Sequence, residues 1–218
     1  MNKFNIAIDG PSGVGKSTIS DCLAQLYDMR HLDTGAMYRC VALYLKKNNT
    51  DIHDEDKLRQ ALNEIRISFE EDKVFLNGED VSTDIRTNEI SMYASFTSAL
   101  VPVREKLVDL QKAITKDKGY IVDGRDICSV VLPDAEVKIF LDASAQARAS
   151  RRFNEYKEKG VEISYQEVYE DIVKRDHQDS TREISPLQKA EDAIAIDTSN
   201  LSIEQVVEEV KKVIEQSI

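Results

Sequence analysis

Cysteine is scarce in this chain: Cys22, Cys40 and Cys128 are its three, and they lie far apart. That spacing matches no metal-ligand set and reads as reduced thiols in a cytoplasmic protein. No apolar run approaches the roughly 18 residues of a spanning helix, and no basic-then-apolar leader opens the chain. Neither a membrane span nor a signal peptide is therefore expected. Internal repeats and low-complexity linkers are absent too. Positive charge is in deficit, with 29 Lys and Arg against 40 Asp and Glu and a net charge of −11. Such a chain repels polyanions, so nucleic acid is not an expected partner. Any phosphate it binds must be met by individually placed lysines and arginines.

What is present suits one large domain or one domain with a small insertion: 218 residues, 41% of them hydrophobic. Phe4, Ile6 and Ile8 form a short apolar strand. Ile19, Cys22, Leu23, Leu26 and Tyr27 then recur at helical spacing. A second helix is expected from near Gly35, with Met37, Cys40, Val41, Tyr44 and Leu45 on one face. From Ile65 to Thr83 the pattern alternates around Asn77-Gly78, a sign of small antiparallel hairpins inserted into a different architecture. Helices are expected near Asn88–Ser98 and Val103–Lys116. The runs "YIVDG", "VKIFLD" and "AIAID" suit buried strands of a parallel sheet. Ser164-x-x-Glu167 and Ser202-x-x-Gln205 have the form of helix capping boxes. The expected fold is α/β: a five-stranded parallel sheet flanked by helices, with a small antiparallel insertion. Ligands then belong at the carboxyl ends of the strands.

The stretch "IAIDGPSGVGKST" has the P-loop spacing and the strand–loop–helix context that the loop needs. Gly10, Gly13 and Gly15 let the backbone curl so that its N–H groups face phosphate oxygens, and Pro11, Ser12, Val14 and Thr18 complete the loop expected to hold ATP. Lys16 is placed to reach the β- and γ-phosphates, and Ser17 to offer a hydroxyl to Mg²⁺. A regulatory GTPase also needs D-x-x-G and N/T-K-x-D, and neither pattern occurs. A small kinase needs a second anion site, and four segments offer one. "LDTGAMYR" sets Thr34 and Gly35 at a helix start, with Arg39 one turn in. "DGRD" follows a strand, with Asp123 placed to organise Mg²⁺ through water, Arg125 to clamp phosphate and Asp126 to accept from an amino group. "RDHQDSTR" carries Arg175, Asp179 and Arg182. Arg148, Arg151 and Arg152 fall within two helical turns, where mobile arginines can close over a transferring phosphoryl group. His31, His53 and His177 are assigned no chemistry.

Together these segments resemble the bacterial cytidylate kinase (CMP kinase) family over nearly the whole chain. The matching stretches are "IAIDGPSGVGKST", "LDTGAMYR", "DIRTNEIS", "VPVRE", "DGRDI", "VVLPDAEVKIFLDAS", "RDHQDSTR" and "LSIEQVVEEV". The resemblance implies a P-loop kinase fold in one domain, with a core of about 1–34, 103–147 and 182–218. It implies an acceptor-binding part of about 35–102, enlarged by the insertion at 65–83, and a short lid of about 148–164. It implies phosphoryl transfer from Mg²⁺-bound ATP to CMP or dCMP by a cytoplasmic monomer. Thr34, Tyr38, Arg39, Arg125 and Arg182 resemble the acceptor-phosphate contacts; Ser95, Arg104 and Asp126 the cytosine contacts; Arg175 and Asp179 the sugar-side contacts. Lys16, Arg39, Arg125, Arg148, Arg152 and Arg182 are the expected catalytic cations, and Arg151 joins the loop 10–18 in holding ATP. The family commonly has Gly-Thr where this chain has Cys128-Ser129, and Gln-Arg where it has Gln111-Lys112.

Overall fold

The computed structural model describes residues 3–70 and 73–218; residues 71 and 72, within the expected insertion, lie outside the described residues. Along the chain run β1 (Ile6–Asp9), α1 (Lys16–Tyr27), β2 (Arg30–Asp33), α2 (Thr34–Lys47) and α3 (Glu55–Glu64). Next come β3 (Ile67–Glu70), β4 (Lys73–Leu76), β5 (Glu79–Asp80), α4 (Asn88–Thr97) and α5 (Val101–Thr115). The chain ends with β6 (Tyr120–Gly124), β7 (Val137–Asp142), α6 (Ala145–Glu158), α7 (Tyr165–Thr181), β8 (Ile194–Asp197) and α8 (Ile203–Ser217). It divides into two compact units, Met1–Leu32 with Ile114–Ile218, and Asp33–Ala113.

The first unit is built on a five-stranded parallel sheet in the order β2-β6-β1-β7-β8. Every residue of β1 is buried, as a strand covered on both faces requires. Its register sets Ile8 beside Asp123 and Asp9 beside Gly124, so the two Asp-Gly strand ends leave the sheet together. Ile6, Ile8, Ile121, Ile139 and Leu141 pack with Ile19 and Leu23 of α1 and with Val206, Val210 and Ile214 of α8. Leu26, expected on the buried face of α1, is 59% exposed. The buried line runs instead through Ile19, Ser20 and Leu23, and Leu26 falls beyond it. A smaller apolar cluster, Ala149, Val168 and Ile172 with Phe153, Tyr156 and Tyr169, belongs to the α6–α7 pair. Both expected capping boxes are formed: Ser164 with Glu167, and Ser202 with Gln205.

In the second unit α2 buries Met37, Cys40, Val41 and Leu45, the face expected for it. β3, β4 and β5 form a separate antiparallel sheet. Its β4–β5 turn is Asn77-Gly78, with φ of 52° and 87°, the left-handed pair that a two-residue hairpin demands. α5 starts at Val101, two residues before the expected start, because proline is tolerated in a first turn. α3 was not expected. Its sequence is heavily charged, but Asp54 caps it by accepting from the Lys57 N–H, and Leu58, Ala61 and Leu62 supply a narrow buried stripe.

Leu23 is fully buried between sheet and helix. Leu23→Ala is expected to cost about 2–5 kcal/mol, the sum of lost transfer energy and a cavity. Chemical denaturation measures this, and a loss below about 1 kcal/mol would show that α1 is not anchored through this residue.

Candidate active site

The loop between β1 and α1 begins with a close approach. A Cβ on Gly10 would stand 2.1 Å from the Leu141 carbonyl oxygen of β7, so no larger residue fits there. Gly15 sits at the N-cap of α1 with φ 97°, a left-handed conformation that turns the chain into the helix. Lys16 opens that helix and is buried. Its Nζ donates to the Gly10 and Pro11 carbonyls, each at 2.8 Å. Burial, and then the nearby Arg125 charge, holds the Lys16 ammonium well below the usual lysine range, against the pull of Asp123 and Asp9.

Asp123, at the end of β6, accepts from the Ser17 hydroxyl at 3.1 Å. Its other oxygen lies 2.9 Å from His31 Nε2, and His31 Nδ1 lies 2.6 Å from Asp21. Burial opposes charge on this ring, but the hydrogen bonds to the Asp123 and Asp21 carboxylates outweigh it and raise His31 to about 10. The Ser17 hydroxyl and the Asp123 carboxylate are hard oxygen donors side by side, a donor set that fits Mg²⁺ with its retained waters.

A second buried acid holds the neighbouring loop. Asp9 accepts from the N–H groups of Ile127 and Cys128, each at 2.8 Å. These open a turn over Ile127–Val131 in which the Leu132 N–H reaches back to the Ile127 carbonyl, a π-type closure. Cys128-Ser129 is thus housed with the Cys128 side chain buried and its thiol pushed up by that burial. Asp126, buried, lies just before the turn and accepts from Val130 N–H through its carbonyl.

Among the expected cations of this unit, Arg125 and Arg148 are tied to carboxylates. Arg125 Nε donates to Asp179 at 2.9 Å, and Asp179 is buried. Arg148 was expected to act from the lid. Its guanidinium is buried, with one N–H to Ser12 O in the phosphate loop, one to Ala143 O and a two-pronged pair with Asp176. That geometry makes it a strut under the loop. Arg151 donates to the Thr198 carbonyl and, at 3.2 Å, to its hydroxyl. Arg152 lies over the Tyr156 ring, 5.5 Å from its centre. Arg182 donates to Ser185 O at 2.5 Å, and Arg175 adds to the positive field at Lys16.

The remaining expected residues belong to the second unit. Thr34 is buried at the start of α2, which Asp33 caps through the Ala36 N–H. Asp33 also accepts from Arg39 Nη2 at 2.9 Å. The Arg104 guanidinium lies over the Tyr38 ring at 5.9 Å, and both Arg104 and Ser95 are buried. Asp9, Asp21, His31 and Asp176 join these contacts although the sequence does not single them out. Asp9 alone left a sequence signal, since "IDG" of β1 repeats the "VDG" of β6.

A parallel sheet with a phosphate loop at its carboxyl edge, and an acid on the adjacent strand, defines a P-loop kinase. Solved structures share the fold: shikimate kinase from Bacteroides thetaiotaomicron (TM-score 0.51, 11% identical, 97% of this chain and 98% of that one). An uncharacterised protein from Eubacterium ventriosum aligns comparably (TM-score 0.52, 13% identical, 98% and 99%). The model of the cytidylate kinase family matches residues 6–216. The cytidylate kinase of Thermosipho melanesiensis is 51% identical over 97% of this chain and 96% of its own length. Those of Caldicellulosiruptor bescii (53%; 96% and 95%) and Fusobacterium nucleatum (48%; 99% and 99%) are similar. The chain belongs to the cytidylate kinase family.

Asp9 allows a test by pH. Burial pushes its carboxyl up to about 6, against the pull of the two N–H groups. The folded protein therefore takes up this proton more readily than the unfolded chain, whose value is near 3.8. The Asp9 contribution to stability is fullest below about pH 4 and is lost as pH rises through about 6. The amide of Asp9→Asn does not titrate. Measured against that variant, the wild type is expected to gain roughly 2 kcal/mol as pH falls from 7 to 4. A difference that stays flat with pH would show that Asp9 titrates like an exposed acid.

Proposed function

We propose that this chain transfers the γ-phosphoryl group of ATP to CMP and dCMP, giving CDP and dCDP. An oxygen of the acceptor phosphate attacks the γ-phosphorus, the bond to the β–γ bridging oxygen breaks, and ADP leaves with that oxygen. The acceptor is already an anion, so no strong general base is needed. The observation that carries this reading is the donor loop of a cytidylate kinase family member: Lys16 over the loop, with Ser17 against Asp123.

In this reading the loop from Gly10 to Thr18 cradles the triphosphate, and Lys16 turns from the Gly10 and Pro11 carbonyls to its β- and γ-oxygens. Ser17 directly, and Asp123 through water, would hold Mg²⁺, which would offset the negative charge of the triphosphate. Arg125 and Arg182, with Thr34, Tyr38 and Arg39, take the acceptor phosphate. Ser95, Arg104 and Asp126 read the cytosine edge, and Arg175 and Asp179 the sugar side. Asp179 also aims Arg125 by holding its Nε. Arg151 faces the donor from beside Thr198, and Arg152 is the lid arginine that closes on the transferring group. Arg148 contributes by fixing Ser12. We place the lid on α6 from Arg148 and the segment that follows it, at about 148–164, and the acceptor-binding part at about 35–102. We take the protein to act as a monomer in the cytoplasm, a reducing compartment that suits thiols free among the described residues. No described helix is long and apolar enough to cross a membrane.

The direct test is ADP formation from ATP and Mg²⁺ with each of CMP, dCMP, UMP, AMP and GMP. Turnover with CMP and dCMP well above the others is expected; turnover with none of the five would refute a nucleotide kinase, and a preference for another base would refute the acceptor assignment.

Asp126 gives a sharper prediction. Cytosine presents an amino donor where uracil presents a carbonyl acceptor, and a carboxylate accepts from the first and repels the second. Asp126→Asn introduces a group that can also donate. It is expected to lower CMP efficiency and narrow the CMP-to-UMP ratio by about tenfold, the scale of one charge-assisted hydrogen bond. If both substrates fall by one common factor at fixed ATP, Asp126 serves the loop and not the base.

A further inference from the structure

His31 stands outside every role described so far, yet it closes a ring of four side chains. Ser17 and Asp21 are one turn apart on α1, at the i, i+4 spacing that puts them on one face. Ser17 donates to one oxygen of Asp123 at 3.1 Å. The other oxygen faces His31 Nε2 at 2.9 Å, and Nδ1 of the same ring faces Asp21 at 2.6 Å, which returns the chain of contacts to α1. Three elements, α1, β2 and β6, are joined by this ring.

The burial of its members is graded. Asp123 and His31 side chains are 4% and 14% exposed, whereas that of Asp21 is 63% exposed. Asp21 is thus a surface anchor for a ring whose inner end is sealed. A buried carboxylate held at one oxygen only can swing about its Cβ–Cγ bond. Held at both, it keeps one oxygen turned to Ser17. The imidazole plane is itself fixed, since its two nitrogens are engaged on opposite sides.

We propose that His31 is a positioning residue of the donor site: anchored by Asp21, it holds the Asp123 carboxylate in the orientation that, with Ser17, receives the metal of the metal–ATP complex. It touches neither the nucleotide nor the reacting atoms and acts through Asp123. This rests on the donor-site reading above. Partners of this kind behind a metal-organising acid are worth about 10–100-fold in metal affinity.

A residue that only filled space under β2 would change stability and leave the coupling between metal and nucleotide untouched. The test therefore reads that coupling. ATP affinity is measured by calorimetry on the full chain, once with EDTA and once with Mg²⁺, and the ratio of the two is compared among variants. In wild type Mg²⁺ is expected to tighten ATP. His31→Leu is expected to cut that gain about tenfold and leave metal-free ATP affinity unchanged. His31→Gln, which keeps one N–H donor, is expected to recover part of the gain. Asp21→Asn, at an exposed position, is expected to lose part of it. A folded His31→Leu protein with the wild-type ratio overturns the proposal. Should that variant fail to fold, Asp21→Asn decides, and a wild-type ratio there overturns it equally. If wild type itself binds no ATP, the donor-site reading falls and the role of His31 with it; if wild type couples and the variants couple equally, only the role of His31 falls.

Discussion

Much of the active-site geometry depends on one buried carboxylate. Asp9 ends β1, and the next residue begins the phosphate loop. Its two oxygens take the N–H groups of Ile127 and Cys128, so the segment carrying Arg125 and Asp126 is fastened to the base of that loop. Gly10 then passes so close to the Leu141 carbonyl that the loop is also seated against β7. Phosphoryl transfer is catalysed mainly by position, and an error of about 1 Å can cost on the order of 100-fold in rate. A charge-assisted pair of hydrogen bonds is stiff enough for that purpose. Its cost is the desolvation that pushes Asp9 up to about 6.

Positive charge is managed in the same spirit. The chain is strongly acidic overall, yet the phosphate loop concentrates cations. Arg125 is held by Asp179 and Arg148 by Asp176, so each guanidinium is partly neutralised and fixed in direction. Lys16 is treated differently. It lies on backbone carbonyls, and burial with Arg125 close by holds it well below the usual lysine range. On the proposed reading, a polyphosphate brought to this loop would add negative charge that favours the ammonium and so opposes that depression.

The parallel sheet was legible because β1, β6, β7 and β8 are short, mostly apolar runs that each reach an Asp at the strand end. The Asn77-Gly78 hairpin was legible because two left-handed residues in succession permit few side chains. The capping boxes were legible because Ser and Glu or Gln at that spacing act locally. α3 was not, since its buried stripe of Leu58, Ala61 and Leu62 is too narrow to stand out among charges. The phosphate loop could be read because its motif is contiguous. His31, Asp21 and Asp123 could not be joined, because 92 residues separate His31 from Asp123 and only the parallel pairing of distant strands unites them. Arg148 shows the converse. Its spacing from Arg151 and Arg152 suggested arginines that close together over a phosphoryl group, but spacing on one helix says nothing of what lies across from it. Ser12 and Asp176 lie across from Arg148 and claim it.

That division along α6 has a mechanical consequence. Arg148, in the first turn, is fixed to the phosphate loop, whereas the next turns pack against α7 through a small cluster of their own around Ala149, Val168 and Ile172. A small satellite core can move as a body without opening the main one. On the proposed reading, the root of α6 would be the fulcrum of the lid, with Arg148 on the fixed side and Arg152 on the moving side. Such a lid would keep the loop beneath it rigid while its outer arginine travels, and so would join a donor site that does not deform to a cover that excludes water when both nucleotides are bound.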